Sequence, residues 1–433
     1  MAPEIIGLIG VLILLGLTMI RMPIGLALGS VGIFGTWYLL GWDTMVFALG
    51  DAPVAAMSNY TLSVLPLFIL MGIVAARAGF ANALYQAAFA FVGHRKGGLA
   101  ISSIIACGGF GAVCGSSLAT VATMSNVAVP SMLRYGYSPQ LAAGSVATGA
   151  TLAILIPPSL PMIIYAYLTE VSIGKLFAAG IIPGILGVIL YAVTISIWTH
   201  FNPKAGAGGE RMNWSKRLQS LKGVWAVVVL FVAVLGGIFA GIFSPTEGAA
   251  VGAFGAIFLG FIARSFTLRL LIRSIAETVV LSSSILFIVI GVSLFNFFIT
   301  GAMFPQALSA FLDDINLPPL VTLAGITLVL IILGCFLEVM AIIFITTPVL
   351  FPAMMALGYD PVWYGILTMM VVEIGAVTPP IGMNIFVLAK QLKDVSAKQV
   401  FQGIIPFLAA DFVRLFIIIA FPGLVLWLPS LLF

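Results

Sequence analysis

Charge is scarce in this chain. Asp, Glu, Lys and Arg make up 7% of its 433 residues, against about 25% in a soluble domain. So little charge cannot cover a water-exposed surface, and a soluble globular fold is excluded. Histidine is nearly missing. His94 and His200 fall in polar loops, and no nucleophile–base constellation accompanies them, which argues against an enzyme. Cys107, Cys114 and Cys335 lie in apolar segments without CxxC spacing, so neither a disulfide framework nor a metal cluster is indicated. The opening "MAPEIIGLIG" has no basic flank and reads as a first span rather than a cleaved leader.

What the chain does have is apolar length. Hydrophobic residues make up 62% of it, and mean hydropathy is +1.24. Runs such as Ile5 to Ile20 and Val224 to Ile242 reach or approach the length needed to cross ~30 Å of hydrocarbon. The expected fold is an all-α polytopic membrane protein in a lipid bilayer.

The sequence also repeats itself. At an offset of 222, Pro130, Gly136, Tyr137, Pro139, Pro157 and Pro158 fall on Pro352, Gly358, Tyr359, Pro361, Pro379 and Pro380. At a neighbouring offset, Gly25, Ala27, Gly29 and Gly32 fall on Gly248, Ala250, Gly252 and Gly255, and "AGIIPG" from Ala179 answers "QGIIPF" from Gln402. Chance rarely aligns six turn-formers in register. The expected division is a first repeat over 1–199, a connecting loop over 200–222, and a second repeat over 223–433.

Each repeat holds two unusual elements. Residues 99–134 and 319–357 are apolar with a polar centre, and read as re-entrant helical hairpins. Residues 138–168 and 362–391 carry Pro-Pro in mid-span, and read as broken helices. With these hairpins the first repeat crosses five times, an odd number, so the second is inverted. Placing the connector in the cytoplasm, on its five Lys/Arg, puts every Lys and Arg inside except Lys175 and Arg414. Arg264, Arg269, Arg273, Lys390, Lys393 and Lys398 fall inside, and Asp313, Asp314 and Asp360 outside. Both termini come out external. The basic sequence pI near 9.0 thus sets orientation and does not mark a nucleic-acid partner.

Inverted-repeat transporters place their sites at the midplane, on discontinuous helices. Half-helix N-termini offer N–H groups to anions, and unwound carbonyls offer oxygen to cations. The candidate elements are the tips Cys114–Thr120 and Gly334–Ala341, and the breaks Leu155–Pro161 and Ala376–Asn384. Candidate Na+ ligands are Gly115, Ser116, Ser117, Thr151, Pro157, Glu338, Gly375, Thr378, Pro379 and Gly382. Candidate substrate contacts are Ser116, Thr120, Asn126, Ser159 and Asn384. Any one Ser or Thr bonds its own helix backbone as readily, and Asn126 either lines the cavity or ties two helices together. Intramembrane acids are functional candidates by default. Glu338 aligns with Ser116 and Glu373 with Thr151; each is either functional or a paired structural acid. Asp411 and Arg414, three apart on one helix, read as a self-neutralising pair.

At these residues the chain resembles the large membrane subunit of tripartite ATP-independent periplasmic (TRAP) transporters. "GGFGAVCGSSLATVATM" from Gly108, "ILIPPSLPMIIYAYLTEVSIGKLFAAGIIPG" from Ile154, "VTPPIGMNIFV" from Val377 and "AADFVRLFIIIAFPGLVLWLP" from Ala409 carry the resemblance, which covers essentially the whole chain. It implies uptake of an organic acid, commonly a dicarboxylate, keto acid or sialic acid, across the bacterial inner membrane. It implies Na+ as the coupling ion and no cofactor. It further implies a periplasmic binding protein that delivers substrate, a small four-helix membrane subunit, and an elevator in which the hairpins and broken helices slide against a scaffold. Pro23 to Leu40 and Pro245 to Ile262, rich in small residues, suit the close packing of a scaffold. Asn82 to Val92 and Gln306 to Phe311 suit short linking helices. A proton-coupled version of the same machine is the nearest rival, with a channel and a membrane enzyme behind it.

Overall fold

The computed structural model describes residues 2–263, 266–315, 317–392 and 395–433. Arg264 and Lys393 lie outside these, as does the side chain of Asp313, so their expected places in the charge pattern are not described. Among the described residues every regular element is helical.

The first half runs α1 (Pro3–Met19), α2 (Ile24–Leu40), α3 (Trp42–Ser58), α4 (Val64–Arg77), α5 (Phe80–Val92), α6 (Gly98–Cys114), α7 (Ser117–Arg134), α8 (Pro139–Gly149), α9 (Leu152–Leu155), α10 (Leu160–Thr169) and α11 (Ile173–Phe201). The connector carries α12 (Trp214–Leu221). The second half runs α13 (Trp225–Phe231), α14 (Gly237–Phe239), α15 (Pro245–Ile262), α16 (Leu268–Gly301), α17 (Phe304–Asp314), α18 (Pro319–Gly334), α19 (Val339–Ala356), α20 (Pro361–Val377), α21 (Met383–Gln391), α22 (Ala397–Ala420) and α23 (Gly423–Leu432). Among the described residues, seven stretches are long and apolar enough to cross a membrane, or eight if α12 and the bent run after it count as one. The protein is a multi-pass membrane protein.

The matched turn-formers now have a physical role. After α7 the chain turns at Gly136 (φ 76°), and after α19 at Gly358 (φ 82°). These left-handed conformations suit glycine. Tyr137 N then bonds Met132 O, and Tyr359 N bonds Met354 O. One residue on, Ser138 and Asp360 cap α8 and α20 through side-chain oxygens, with Pro139 and Pro361 at the first helical position. Proline costs nothing there, because that N–H has no partner in any helix.

The two halves are built into one another. α2 packs along α16, and its repeat counterpart α15 packs along α4, the counterpart of much of α16. Likewise α8 packs on α22 and α20 on α11. Small residues permit this closeness. A Cβ on Gly32 would lie 2.5 Å from the carbonyl carbon of Leu294, and one on Gly144 2.5 Å from Gly403 O. The small-residue pattern of α2 thus admits the α16 backbone at Gly32, whereas that of α15 receives side chains: Ile238 at Gly248, Met71 at Gly252 and Leu230 at Gly255.

Two helices were not expected. α3 carries Asp43, Asp51 and Pro53, which mask its apolar face of Met45, Ala48, Ala52 and Ala56. α12 sits in the connector that read as loop. Its Arg217 is buried against the rings of Phe91 and Trp214, so a basic residue counted as loop charge acts as packing.

Replacing Gly32 with Val should force α2 and α16 apart, at a cost of about 1–3 kcal/mol for overpacking. Gly325→Ala, where nothing lies within 4 Å, should be neutral or slightly stabilising. Thermal unfolding of the two purified variants checks the difference.

Candidate functional site

Both hairpins turn where the sequence is most polar. The α6–α7 turn is Gly115 and Ser116, and the α18–α19 turn is Cys335 to Glu338. Ser116 is the N-cap of α7, accepting from Ala119 N at 3.4 Å. Glu338, its counterpart, is the N-cap of α19, accepting from Met340 N at 3.0 Å. Each returning helix therefore points its N-terminus at the tip, where free N–H groups amount to roughly half a positive charge. Ser116 and Glu338 line one cavity of about 440 Å³, together with Cys114, Gly72 of α4 and Ser284 of α16. Arg77 and Glu277 line it too and form an ion pair at 2.5 Å. Arg77 also donates to Ser274 Oγ at 2.8 Å.

The first break docks on the first tip. Ile156 to Ser159 leave the helix, and Leu160 N donates to Gly115 O at 3.2 Å. Gly115 has φ 64°, and a Cβ there would sit 2.8 Å from Pro158 O. Ser159 Oγ donates back to Ile154 O. Pro157, Pro158 and Ser159 are all buried. Gly180 and Gly184 of α11 admit Leu155 O and Ile156 against the helix surface.

The second break is built alike but lies more open. Gly334 of α18 touches Gly375 of α20 at the Cα atoms, as Gly111 of α6 touches Ala153. Thr378 Oγ1 donates to Ile374 O at 2.6 Å. Pro379 and Pro380 are exposed, and Gly382 takes φ 60° to start α21. Asn384 follows, fully buried, and neither its oxygen nor its nitrogen has a hydrogen-bond partner. Thr120 Oγ1, on the first hairpin, is likewise buried and unpartnered. Ser117 is buried beside it.

Two candidates stand elsewhere. Asn126 Nδ2 donates to Gln391 Oε1 at 2.9 Å, and Ser125 Oγ to the same atom at 2.6 Å. Asn126 thus ties α7 to the end of α21. Thr151 Oγ1 lies 2.6 Å from Glu373 Oε1, its own repeat counterpart. Gln391 carried no signal in sequence, because only the fold brings it to α7.

Residues 11–424 match the family described as "Tripartite ATP-independent periplasmic transporter, DctM component". The chain belongs to this family. It is 37% identical over 405 residues to the C4-dicarboxylate TRAP transporter large permease protein DctM of Pseudomonas aeruginosa, covering 93% of this chain and 94% of that one. It is 32% identical over 420 residues to the sialic acid TRAP transporter large permease protein SiaM of Vibrio cholerae, covering 96% and 97%. It is 33% identical over 423 residues to the ectoine TRAP transporter large permease protein TeaC of Halomonas elongata, covering 97% and 98%. These relatives are named as transporter permeases, not enzymes. Among solved structures, the YdaH transporter of Alcanivorax borkumensis superposes with a TM-score of 0.62 at 14% identity, covering 98% of this chain and all of that one. That likeness concerns the fold alone.

In a TRAP large permease built this way, the Gly115 contact joins a tip to a break. Gly115→Ala adds a clash with Pro158 O and a left-handed strain of roughly 1–2 kcal/mol. Uptake should fall roughly tenfold, equivalent to about 1.4 kcal/mol in the barrier, with helix content unchanged. Uptake close to wild type in proteoliposomes would remove this contact from the transport cycle.

Proposed function

We propose that this chain imports a small organic acid anion together with Na+, across the bacterial inner membrane, by an elevator movement. The observation that carries the reading is the shared cavity: Ser116 and Glu338, repeat counterparts at two helix N-termini, face one space. The N-terminus of α7, capped by the neutral Ser116, attracts an anionic group, whereas that of α19 is already capped by Glu338. The relatives named for C4-dicarboxylates, sialic acid and ectoine all concern molecules that carry a carboxylate.

Cations have different partners. Gly115 and Pro157, with Ser116 and Ser117, would supply hard oxygen ligands on the first side, and Gly375, Thr378, Pro379 and Gly382, around the second break, those on the other. Hard oxygen ligands without thiolate or imidazole suit an alkali cation. The unpartnered polar atoms of Thr120 and Asn384 support a polar guest nearby, since buried polar groups are normally bonded.

The moving unit would be the hairpins and broken helices, and the scaffold the seams α2–α16 and α4–α15. Gly72 of α4 supports a sliding contact, because a Cβ there would lie 2.9 Å from Cys114 O of the hairpin. The positive-inside rule would put Arg77 at the cytoplasmic side and both termini in the periplasm, and the cavity that Arg77 lines would then open inward. A small membrane subunit would brace the scaffold. A periplasmic binding protein would deliver the anion. Na+ then drives uptake only through tighter binding to the substrate-loaded state.

Reconstituted with its binding protein and a Na+ gradient, the complex should take up its anion. Replacing Na+ by choline at fixed pH should reduce uptake to background; unchanged uptake would defeat Na+ coupling. Changing Pro157 and Pro158 to Ala should weaken Na+ dependence more than folding, read as the Na+ concentration for half-maximal uptake against the melting temperature.

A further inference from the structure

Among the described residues two arginines are buried, and their surroundings differ. Arg414 Nη2 has two carboxylates, Asp411 Oδ1 at 2.8 Å and Glu373 Oε1 at 3.1 Å, and the guanidinium lies 5.7 Å over the Tyr191 ring. Arg217 of α12 is 7% exposed and has rings alone: Trp214 at 5.1 Å and Phe91 of α5 at 5.9 Å. Its Nε and Nη2 have no hydrogen-bond partner. Ring faces attract a cation, but they leave its in-plane N–H groups unbonded. A buried charge without a counter-ion is costly.

The neighbours of Arg217 add positive charge. Hydrogen bonds from Gly209 N to Gly93 O at 2.9 Å and from Gly97 N to Gly206 O at 3.1 Å pin the connector beside the α5–α6 turn. There His94 Nδ1 is buried and also lacks a partner. Desolvation, and after it the charges of Arg217, Arg211 and Arg95, hold the His94 pKa below its usual value. Among the described residues none of these three arginines is in an ion pair.

Beside Arg217 the helix is apolar and uncovered. Trp214, Leu218 and Leu221, spaced i, i+4 and i+7 on α12, are 65%, 60% and 45% exposed. α12 meets the span that follows it at 49°. A Trp/Leu face bordered by basic residues, at the end of a span, is the pattern of a helix lying in the membrane interface.

We propose that the corner between α5 and α12 binds the phosphate of an anionic phospholipid. Arg217 is its central ligand, Arg95, Arg211 and His94 surround it, and the acyl chains lie on the Trp214–Leu221 face. Guanidinium pairs with phosphate through parallel N–H bonds, which the rings cannot supply. A free phosphate ion would serve the guanidinium equally but leave the apolar face bare. The orientation proposed above makes this the cytoplasmic leaflet; the contact itself does not depend on it.

Native mass spectrometry of the delipidated full chain tests this, with phosphatidylglycerol, phosphatidylcholine and inorganic phosphate as probes. The wild type should hold phosphatidylglycerol more tightly than phosphatidylcholine. Arg217→Gln should weaken phosphatidylglycerol about tenfold, the worth of a charged hydrogen bond, and leave phosphatidylcholine unchanged. Arg211→Gln, at an exposed position, should weaken it about fivefold, and serves if Arg217→Gln does not fold. Lys175→Gln, at the opposite end of α11 from the connector, should change nothing. Equal wild-type affinity for the two lipids, or wild-type phosphatidylglycerol binding in the two arginine variants, would overturn the proposal. Displacement of phosphatidylglycerol by millimolar inorganic phosphate would overturn it too, in favour of a free-phosphate site. No uptake is measured, so such a failure leaves the transport reading where it stands.

Discussion

Everything in this structure depends on one constraint: inside a bilayer, a backbone group that leaves its helix must find a partner within the protein. Two helices break here, and neither break could exist alone. Leu160 N, freed at the first, reaches Gly115 O at the hairpin tip. Glycines on α11 let the whole helix press against the unwound carbonyl of Leu155. At the first break, hairpin, unwound segment and glycine-faced helix are therefore one device.

Hairpin and break recur in the second half, but the glycine seat does not: Gly403, the counterpart of Gly180, faces Gln140 O, and Phe407 stands in the place of Gly184. The first Pro-Pro pair is buried and the second is exposed. One tip is capped by a serine and the other by a glutamate. The repeat thus supplies a common backbone, while side chains divide the labour: neutral oxygens on one side, an acid on the other. That division would give the proposed anion and its coupling cations different partners in one cavity.

Much of this was legible in the sequence, for a physical reason. Prolines, left-handed glycines and N-caps act on the residues beside them, so Gly136, Pro139, Pro157 and their counterparts reveal turns and breaks without any knowledge of packing. What stayed hidden depends on distance through space. α3 escaped notice because two acids and a proline mask its buried alanines, and α12 because its arginine looks like loop charge. Asp411 and Arg414 read as a closed pair on one helix, since nothing local indicates that Arg414 also reaches Glu373 or lies over Tyr191. Asn126 found Gln391 only through the fold.

The Thr151–Glu373 contact has an evolutionary side. The two residues are 222 apart, which is the repeat offset itself, so the position meets its own copy. In an ancestral pair of identical half-length chains, that residue would have faced itself across a two-fold axis. Two glutamates there would repel, and two threonines would leave Arg414 one carboxylate poorer. Fusion into a single chain frees the axis from that identity, so one copy can become a donor and the other an acceptor. Asymmetry at the centre is then something a joined chain can hold and a dimer of identical halves cannot, so a protein rebuilt from two equal halves would lose it.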